Sequence, residues 1–346
     1  MTASITQIEM REIPAEEISC QEQLPIKPLV SVVMMTRNHE SFIIQAVESV
    51  VGQQCDFPIE LLIGEDYSSD GTRDICKLLQ EKYPNLIRLI VSSENVGITK
   101  NFLRLVCRSK GSYIALLEGD DYWVVSDKLK KQVEMMEANP DYSWCGAKTF
   151  NRTFWAEEKD FFTMEDTLLR YIVHTSSIMF RSDIMETYPR FPDAVFWESM
   201  LCAYLCEYGN CGFLNEVVSY YRRHEGGLWT GADSGERISL SWIFTDTMVD
   251  YFNGNYMRIL YDRELWVYKM ETEIHIGKDF WKYWRKSLHI ARIAFKRMIK
   301  VLPGPYLIFT LQVYLQPIVA LYMTFRRKLA IRKRIESVQG IIKQIK

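Results

Sequence analysis

The chain has 346 residues, of which 48% are hydrophobic and 25% charged, a composition that excludes a disordered protein and leaves room for one large domain with an appendage. The net charge of −2 is unevenly distributed: residues 281–346 contain 15 Lys or Arg and one acid, Glu336, so an acidic body carries a basic tail. The eight cysteines show no CxxC pair or zinc-ligand spacing, which favours reduced thiols in a cytoplasmic setting. Residues 1–28 lack the apolar run of a secretory signal, and we expect them to form a loose arm.

Four apolar runs without helical period are predicted to be buried strands, at residues 28–35, 59–63, 87–91 and 113–117. A helix is expected after each strand. The inward faces are predicted to contain Ile44, Val47 and Val51 in the first helix, Ile75, Leu78 and Leu79 in the second, and Leu129, Val133 and Met136 in the fourth, while the third helix is expected at residues 100–107. Because alternating strands and helices form parallel sheets with right-handed crossovers, the sequence predicts an α/β fold with a mostly parallel sheet flanked by helices.

Acidic and polar residues follow three of these strands. Glu118, Asp120 and Asp121 end the fourth strand, Asp66 ends the second, and Thr36 follows the first. Ligands bind beyond the carboxyl ends of parallel strands, so these side chains are expected to meet at one edge of the sheet. Since carboxylates repel phosphate, a phosphorylated ligand there requires a bridging divalent cation, Mg²⁺ or Mn²⁺. The alternative is a capped turn between a strand and a polar helix.

Several enzyme classes lose their main support. The Rossmann glycine fingerprint, the phosphate-binding P-loop, His-Glu-x-x-His and Gly-x-Ser-x-Gly are all absent from the sequence. These absences count against NAD-dependent enzymes, P-loop ATPases, zinc proteases and serine hydrolases. A nucleotidyltransferase stays open but is disfavoured, because no basic triphosphate loop follows the first strand.

Four segments in this order closely resemble the family 2 glycosyltransferases: VSVVMMTRNHE at residues 30–40, IGEDYSSDGT at 63–72, NVG at 95–97 and LLEGDDYW at 116–123. The resemblance implies a GT-A fold, the Rossmann-like fold that binds nucleotide sugars. It also implies that Asp66 contacts the nucleotide base and that Thr36, Asn38 and Glu40 lie beside the nucleotide.

The acidic turn has its own implied roles. Glu118 and Asp120 fall on the family's Asp-x-Asp positions, which hold the ribose and the metal-bound diphosphate, and Asp121 is assigned to the same donor site. The first of these positions is Glu in this chain, where the family usually has Asp.

The second half is predicted to contain a strand at residues 175–181 and a helix that opens at Trp197-Glu198, with Leu201, Leu205 and Tyr208 on one face. The family usually has Gly-Asp at 197 and 198, and that Asp is its general base. The resemblance therefore implies that Glu198 is the base. Two alternatives stay open: Glu198 is only a first-turn acid favoured by the helix dipole, or Glu207 or Glu216 serves as the base.

The family's Tyr-Arg-x-His segment, which folds over the diphosphate, matches Tyr221, Arg222 and His224. This match implies that Arg222 offsets diphosphate charge and that His224 joins Asp120 in holding the metal.

Residues 301–325 contain no charged residue and are flanked by basic residues on both sides, but three prolines interrupt them. This pattern favours a segment that lies in, or re-enters from, the cytoplasmic leaflet of an anionic membrane. A buried helical hairpin is the alternative. We therefore predict an arm at 1–28, a catalytic domain at 29–235, a helical packing region at 236–300 and a membrane-associating tail at 301–346.

The sequence thus predicts a metal-dependent, inverting glycosyltransferase at the cytoplasmic face of a membrane. Its donor is expected to be a UDP-linked sugar and its acceptor a glycan or lipid-linked hydroxyl, in cell-surface polysaccharide or glycolipid synthesis, with no nucleic-acid partner. The alternative is a non-catalytic scaffold protein that binds nucleotide sugars, a hypothesis motivated by the unusual Trp197-Glu198.

Overall fold

The computed structural model of the protein describes residues 4–151, 159–192, 197–224 and 234–271, with positions 284, 285, 288, 311 and 313–315. The chain divides into two compact units, one of residues 1–232 and 246–255 and the other of residues 233–245 and 256–346. The strands among the described residues are β1 (Ser4–Thr6), β2 (Glu16–Ile18), β3 (Val30–Thr36), β4 (Ile59–Glu65), β5 (Ile87–Val91), β6 (Tyr113–Glu118), β7 (Tyr122–Trp123), β8 (Tyr142–Phe150), β9 (Phe161–Phe162), β10 (Met179–Arg181), β11 (Thr187–Pro189) and β12 (Asn210–Tyr220). The α-helices are α1 (Gln7–Arg11), α2 (Ile43–Val51), α3 (Thr72–Lys82), α4 (Ile98–Val106), α5 (Lys128–Ala138), α6 (Met164–Leu169), α7 (Trp197–Leu205), α8 (Ser234–Tyr251) and α9 (Met257–Glu271).

One sheet dominates the first unit. Its strand order is β2-β5-β4-β3-β6-β10-β8-β12-β7, and β9 pairs with β12. The centre, β5-β4-β3-β6, is parallel, as predicted for the four strand–helix pairs. Strand β10 runs antiparallel between β6 and β8 and joins this centre to the second half of the chain. The fold is therefore α/β with a Rossmann-like parallel core.

The register aligns the carboxyl ends of the central strands. Thr36 of β3 lies opposite Glu65 of β4, and Met35 lies opposite Glu118 of β6. The polar loops after β3, β4 and β6 consequently leave the sheet at one level. At the far edge β7 pairs with β12, so the end of β12 lies beside the turn between β6 and β7.

The buried faces of the helices agree with the prediction, or differ from it by one position along the helix. Leu129, Val133 and Met136 of α5 are buried, as predicted. In α2, however, the buried face is Ile43, Ala46, Val47 and Val50, while Ile44 is 48% exposed. In α3, Leu79 is buried but Leu78 is 63% exposed. Adjacent apolar residues such as Ile43 and Ile44 satisfy the same period, so only packing determines which of them turns inward.

The expectation of a loose N-terminal arm is wrong for residues 4–18. Strand β2 pairs antiparallel with β5, and β1 pairs with β11. Between them Met10 is fully buried, and the carbonyl of Pro14 accepts a hydrogen bond from the buried side chain of Arg104. Three-residue strands are too short to show an alternating pattern, and their partners lie far away in sequence. No local sequence pattern therefore predicts them.

Two predictions in the second half need correction. Residues 175–181 do not form one strand, because Thr175–Ser177 is a 3₁₀ turn and the strand itself is limited to Met179–Arg181. Helix α7 ends at Leu205, so Tyr208 is not part of its inward face and is 55% exposed. Leu201 and Leu205 are buried as predicted.

The second unit contains α9 and the first part of α8. The hydroxyls of Ser241 and Thr245 donate hydrogen bonds to Oε1 of the buried Glu264, at 2.6 and 2.7 Å. The predicted membrane segment at 301–325 lies outside the described residues, apart from 311 and 313–315, and the tail boundaries stay predictions. Among the described residues, no helix has both the length and the apolar character needed to cross a bilayer.

Candidate active site

Asp120 lies in the turn between β6 and β7 with two imidazoles beside it. Its Oδ2 is 3.0 Å from Nε2 of His224 and 3.7 Å from Nε2 of His39. Burial acts to raise the pKa of Asp120, but the hydrogen bond with His224 and the charges of both imidazoles lower it below its usual value. The same hydrogen bond raises the pKa of His224, whereas burial lowers that of His39. The predicted pair of Asp120 and His224 is therefore brought together.

Thr36 supports this group from the end of β3. Its hydroxyl oxygen is 3.2 Å from Nδ1 of His39, which leaves Nε2 of that ring facing Asp120. A Cβ on Gly119 would lie 2.5 Å from the Thr36 hydroxyl, so only glycine permits this close approach of β3 and the acidic turn. Thr36 therefore orients an imidazole beside the carboxylate of Asp120.

Asp121 connects three segments and is 1% exposed. Its Oδ2 accepts a hydrogen bond of 2.5 Å from the hydroxyl of Ser176, and its Oδ1 accepts one of 3.0 Å from the backbone N–H of Arg222. Burial, reinforced by the charge of Asp120, raises the pKa of Asp121 to about 7. Asp121 thereby holds the 3₁₀ turn and the loop after β12 against the acidic turn.

A second group of possible metal ligands adjoins the first. One ligand atom each from Glu118, Asp121 and His174 lie within 4.8 Å of one another. Carboxylate oxygens suit both Mn²⁺ and Mg²⁺, and a transition metal such as Mn²⁺ also accepts an imidazole nitrogen, so the residues at this edge fit a divalent cation. Asp121 already accepts hydrogen bonds on both oxygens, which makes Asp120 the more accessible ligand.

Asp66, at the end of β4, is buried beneath the loop after β5. Its two oxygens accept hydrogen bonds from the backbone N–H groups of Val96 and Gly97, at 2.8 and 3.0 Å. Burial raises the pKa of Asp66, while these bonds and the charge of Arg104, 4.0 Å away, oppose the rise. The Asn-Val-Gly motif therefore serves to orient this carboxylate.

Asn38 and Glu40 join the loops after β3 and β4. The side-chain oxygen of Asn38 accepts a 2.9 Å hydrogen bond from the N–H of Ser69, and Asn38 itself has a φ of 56°, which an Asn tolerates better than most residues. Glu40 accepts a 2.6 Å hydrogen bond from the N–H of Gly71. Both predicted nucleotide-side residues thus hold the two loops together.

Arg222 extends from the loop after β12 to the acidic turn. Its Nη1 donates to the carbonyl oxygen of Asp120, and its Nη2 donates to Oε1 of Gln45 at the start of α2. The structure therefore brings Arg222, Asp120, Asp121 and His224 into one cluster.

Glu198 lies half-buried in the first turn of α7, after residues 193–196, which fall outside the described part of the chain. Burial raises the pKa values of the neighbouring Tyr188 hydroxyl and Cys202 thiol, and the charge of Glu198 raises both further. The ring of Trp197 packs 4.9 Å from that of Phe102, which attaches this helix start to α4. The assignment of Glu198 as the base stays a prediction.

The two alternative bases have other partners. Glu216 forms a salt bridge of 2.7 Å with Lys131, and Glu207 accepts a hydrogen bond from the hydroxyl of Tyr251. Both alternatives therefore have structural partners of their own, and the choice of base stays a prediction.

Sequence reasoning missed His39, His174 and Ser176 as site residues. His39 stands inside a motif used for the resemblance, so its proximity to Thr36 was a usable signal. His174 and Ser176 carried no such signal, because they reach Asp121 only through the pairing of β10 with β6.

Comparisons with known proteins agree with this geometry. The sequence model of Glycosyl transferase family 2 matches residues 31–194. TuaG of Bacillus subtilis, a protein named as a teichuronic acid biosynthesis glycosyltransferase, is 31% identical over 207 residues, which cover 57% of this chain and 79% of TuaG. An uncharacterised protein of Mycobacterium tuberculosis is 30% identical over 224 residues, or 60% of this chain, and the chain spans 62% of its length.

Solved structures support the fold. Residues 1–349 of TarS of S. aureus, in complex with UDP-GlcNAc, match with a TM-score of 0.56 at 14% identity, over 82% of this chain and 89% of that 1–349 chain. A mannosyltransferase of Pyrobaculum calidifontis in complex with GDP-Man and Mn²⁺ also matches with a TM-score of 0.56. The identity is 17%, and the match covers 86% of this chain and 88% of the mannosyltransferase chain. With the four motifs placed at one edge of an α/β sheet, a match to the family's sequence model and a 31% identical relative covered over most of its length, the chain belongs to glycosyl transferase family 2.

Proposed function

We propose that the protein transfers a sugar from a UDP-linked donor to a hydroxyl of a glycan or lipid-linked acceptor, with inversion at the anomeric carbon. The observation that carries this proposal is the convergence of Asp66, Thr36, Asp120 and His224 at the carboxyl edge of the parallel strands. Family membership supports glycosyl transfer, and the similarity to TuaG supports a role in cell-surface polysaccharide or glycolipid synthesis.

The nucleotide would occupy the edge formed by β3, β4 and β6. Asp66, with both oxygens oriented by the Val96 and Gly97 amides, would recognise a base N–H, and Glu118 would bind the ribose. The complexes of TarS with UDP-GlcNAc and of the mannosyltransferase with GDP-Man support a nucleotide-sugar donor for a protein of this fold.

The diphosphate requires positive charge in a region rich in carboxylates. Asp120 and His224 would hold a divalent cation, Mn²⁺ or Mg²⁺, which would neutralise charge on the departing nucleoside diphosphate. The carboxylate–imidazole donor set fits this ion, and Mn²⁺ in the mannosyltransferase complex supports it. Arg222, bonded to the backbone of Asp120, would add a further positive charge beside the leaving group.

Glu198 would act as the general base. In this step the acceptor hydroxyl gives its proton to Glu198 while its oxygen forms a bond to the anomeric carbon. The bond between that carbon and the diphosphate oxygen breaks on the opposite face, and its electron pair leaves with the nucleoside diphosphate. Attack opposite the leaving group inverts the configuration, and a positioned base contributes about 10²–10⁴-fold to such a step.

The acidic body would lie in the cytoplasm, with residues 301–346 against the anionic cytoplasmic leaflet. The charge of the tail supports this placement, because each basic residue near an anionic surface contributes about 1 kcal/mol.

A panel of nucleotide sugars with Mn²⁺ and candidate acceptors tests the function. Release of nucleoside diphosphate together with a product of inverted anomeric configuration is expected. The rival function, a nucleotide-sugar-binding scaffold, is motivated by Trp197-Glu198 in place of the usual Gly-Asp. Donor binding without turnover across the acceptor panel would favour the scaffold.

A further inference from the structure

The guanidinium of Arg222 packs against two aromatic rings. Its central carbon is 4.6 Å from the ring centroid of Tyr122 and 5.2 Å from that of Phe42. Tyr122 belongs to β7, Phe42 directly precedes α2, and Arg222 lies in the loop after β12. Three segments that are distant in sequence therefore meet around one cation.

Hydrogen bonds determine the orientation of the same guanidinium. Nη1 donates to the carbonyl oxygen of Asp120, Nη2 donates to Gln45, and the backbone N–H of Arg222 donates to Asp121. A guanidinium is planar, donates in its plane and stacks through its faces. With two rings packed against it and two acceptors bound to its nitrogens, the Arg222 guanidinium has little freedom to rotate away from the acidic turn.

The ring of Tyr122 packs in turn against other aromatic rings. The ring of Tyr220 stacks on it at 5.1 Å with an interplanar angle of 16°, and Phe150 stacks on Tyr220 at 5.2 Å and 19°. Tyr122 and Tyr220 are directly opposite each other in the pairing of β7 with β12. The sheet therefore holds the ring on which Arg222 rests.

Phe42 contacts both functional residues of the Tyr-Arg-x-His segment. Besides Arg222, its ring packs 4.9 Å from the imidazole of His224. Its backbone N–H donates to the carbonyl oxygen of His39 at 2.9 Å, and the next residue, Ile43, is fully buried. Phe42 is thus attached to the core on one side and to the segment over the diphosphate on the other.

We propose that Phe42 and Tyr122 are positioning residues that hold the Arg222 guanidinium ready for the diphosphate of the donor. The inference rests on the proposed function, since it requires a nucleoside diphosphate at this edge. A cation held by two rings is oriented before the ligand arrives, so binding loses less rotamer freedom than it would with a mobile arginine. Removing either ring should consequently weaken binding of the diphosphate and leave binding of the nucleoside unchanged.

The test compares UDP with uridine, and GDP with guanosine in parallel, by titration calorimetry on the full chain with Mn²⁺. Phe42→Leu and Tyr122→Leu keep apolar volume but remove the ring. Each is expected to weaken binding of the nucleoside diphosphate about tenfold and to leave binding of the nucleoside unchanged. Phe42→Tyr and Tyr122→Phe restore a ring and should recover most of the affinity.

The matched control is Phe161→Leu, which removes a 43% exposed ring that packs on Tyr142, away from Arg222. Its nucleotide affinities should equal those of the wild type. Melting temperatures of all variants are measured alongside, and if Phe42→Leu fails to fold, Tyr122→Leu decides by the same comparison.

A double-mutant cycle separates positioning from general packing. In an Arg222→Gln background, Phe42→Leu should cause no further loss of diphosphate binding, because the group that it positions is gone. Equal losses for UDP and uridine, or a full additional loss in the Arg222→Gln background, would overturn the inference alone. No binding of either nucleoside diphosphate by the wild type would overturn the proposed function and the inference with it.

Discussion

Asp120 and His224 meet at 3.0 Å although 104 residues separate them in the chain. The contact depends on the pairing of β7 with β12, in which Tyr122 lies opposite Tyr220. Asp120 lies shortly before Tyr122 and His224 shortly after Tyr220, so one short strand pair brings the two residues close together.

Asp120→Asn tests the metal site. We expect donor binding to require Mn²⁺ or Mg²⁺ and to be lost in this variant, because an amide keeps the shape but removes the charge that would hold the cation. The loss of Mn²⁺ affinity should reach at least about 10–100-fold, the usual effect of disturbing even an outer partner of a metal ligand. Calorimetric titration with Mn²⁺ alone measures it.

Asp56→Asn is the control for this variant, since Asp56 is an exposed acid paired with Lys130. It should bind Mn²⁺ and donor like the wild type. Full donor affinity in excess EDTA would show that the cation is not needed.

Glu198→Gln tests the base. The amide cannot accept the proton of the acceptor hydroxyl, so turnover should fall by about 10²-fold or more while donor affinity is retained. Single-turnover kinetics and donor titration measure the two effects separately. Glu198→Asp is informative beside it, because increased activity would show that the site accepts the usual family residue despite Trp197.

Glu216→Gln serves as the comparison, as Glu216 is paired with Lys131 on the surface of the sheet. Turnover close to wild type in Glu198→Gln, together with a large loss in Glu216→Gln, would transfer the role of base to Glu216.

Lys128 predicts a pH dependence of stability. It is fully buried, its Nζ donates to Gln132 at 2.6 Å, and burial lowers its pKa to about 7. Between about pH 7 and the unfolded value near 10.4, the unfolded chain holds a proton that the folded chain lacks. Stability from this group therefore rises with pH above 7, by up to about 1.4 kcal/mol per unit.

Urea unfolding at pH 7.0 and 8.5 of the wild type and Lys128→Met measures this effect. The free energy of unfolding of the wild type should increase relative to the variant by about 1–2 kcal/mol over this range. Contributions from the buried cysteines are common to both chains and cancel in the difference. A difference that stays constant with pH would mean that Lys128 is charged in the folded protein.

Truncation after Lys300 tests the tail. Every motif assigned to donor binding precedes residue 230, so the shortened chain should bind donor while losing its affinity for anionic vesicles. For the full chain, release from membranes by high salt at alkaline pH would indicate a surface segment, whereas release only by detergent would indicate one that enters the bilayer. Aggregation of the truncated chain, with no vesicle binding by the full chain, would favour the buried hairpin.

The strands of the parallel core could be predicted from the sequence alone. Continuous apolar runs such as residues 87–91 have no helical period and end at turn residues, and burial on both faces of a parallel sheet demands that pattern. The acidic turn with Asp120 could be predicted for the same reason, because it directly follows such a run and its chemistry is local.

Contacts between distant segments could not be predicted in this way. The imidazole of His174 reaches Asp121 because β10 inserts beside β6, and Arg222 reaches Asp120 because β12 pairs with β7. Short strands carry almost no periodicity, so their pairing is decided by the packing of the whole chain. By itself the sequence determined the parallel core, the acidic turn and the family, and through the family resemblance it also pointed to Arg222 and His224. The tertiary structure alone decided that His39, His174 and Ser176 meet that turn, since long-range pairing leaves no local pattern.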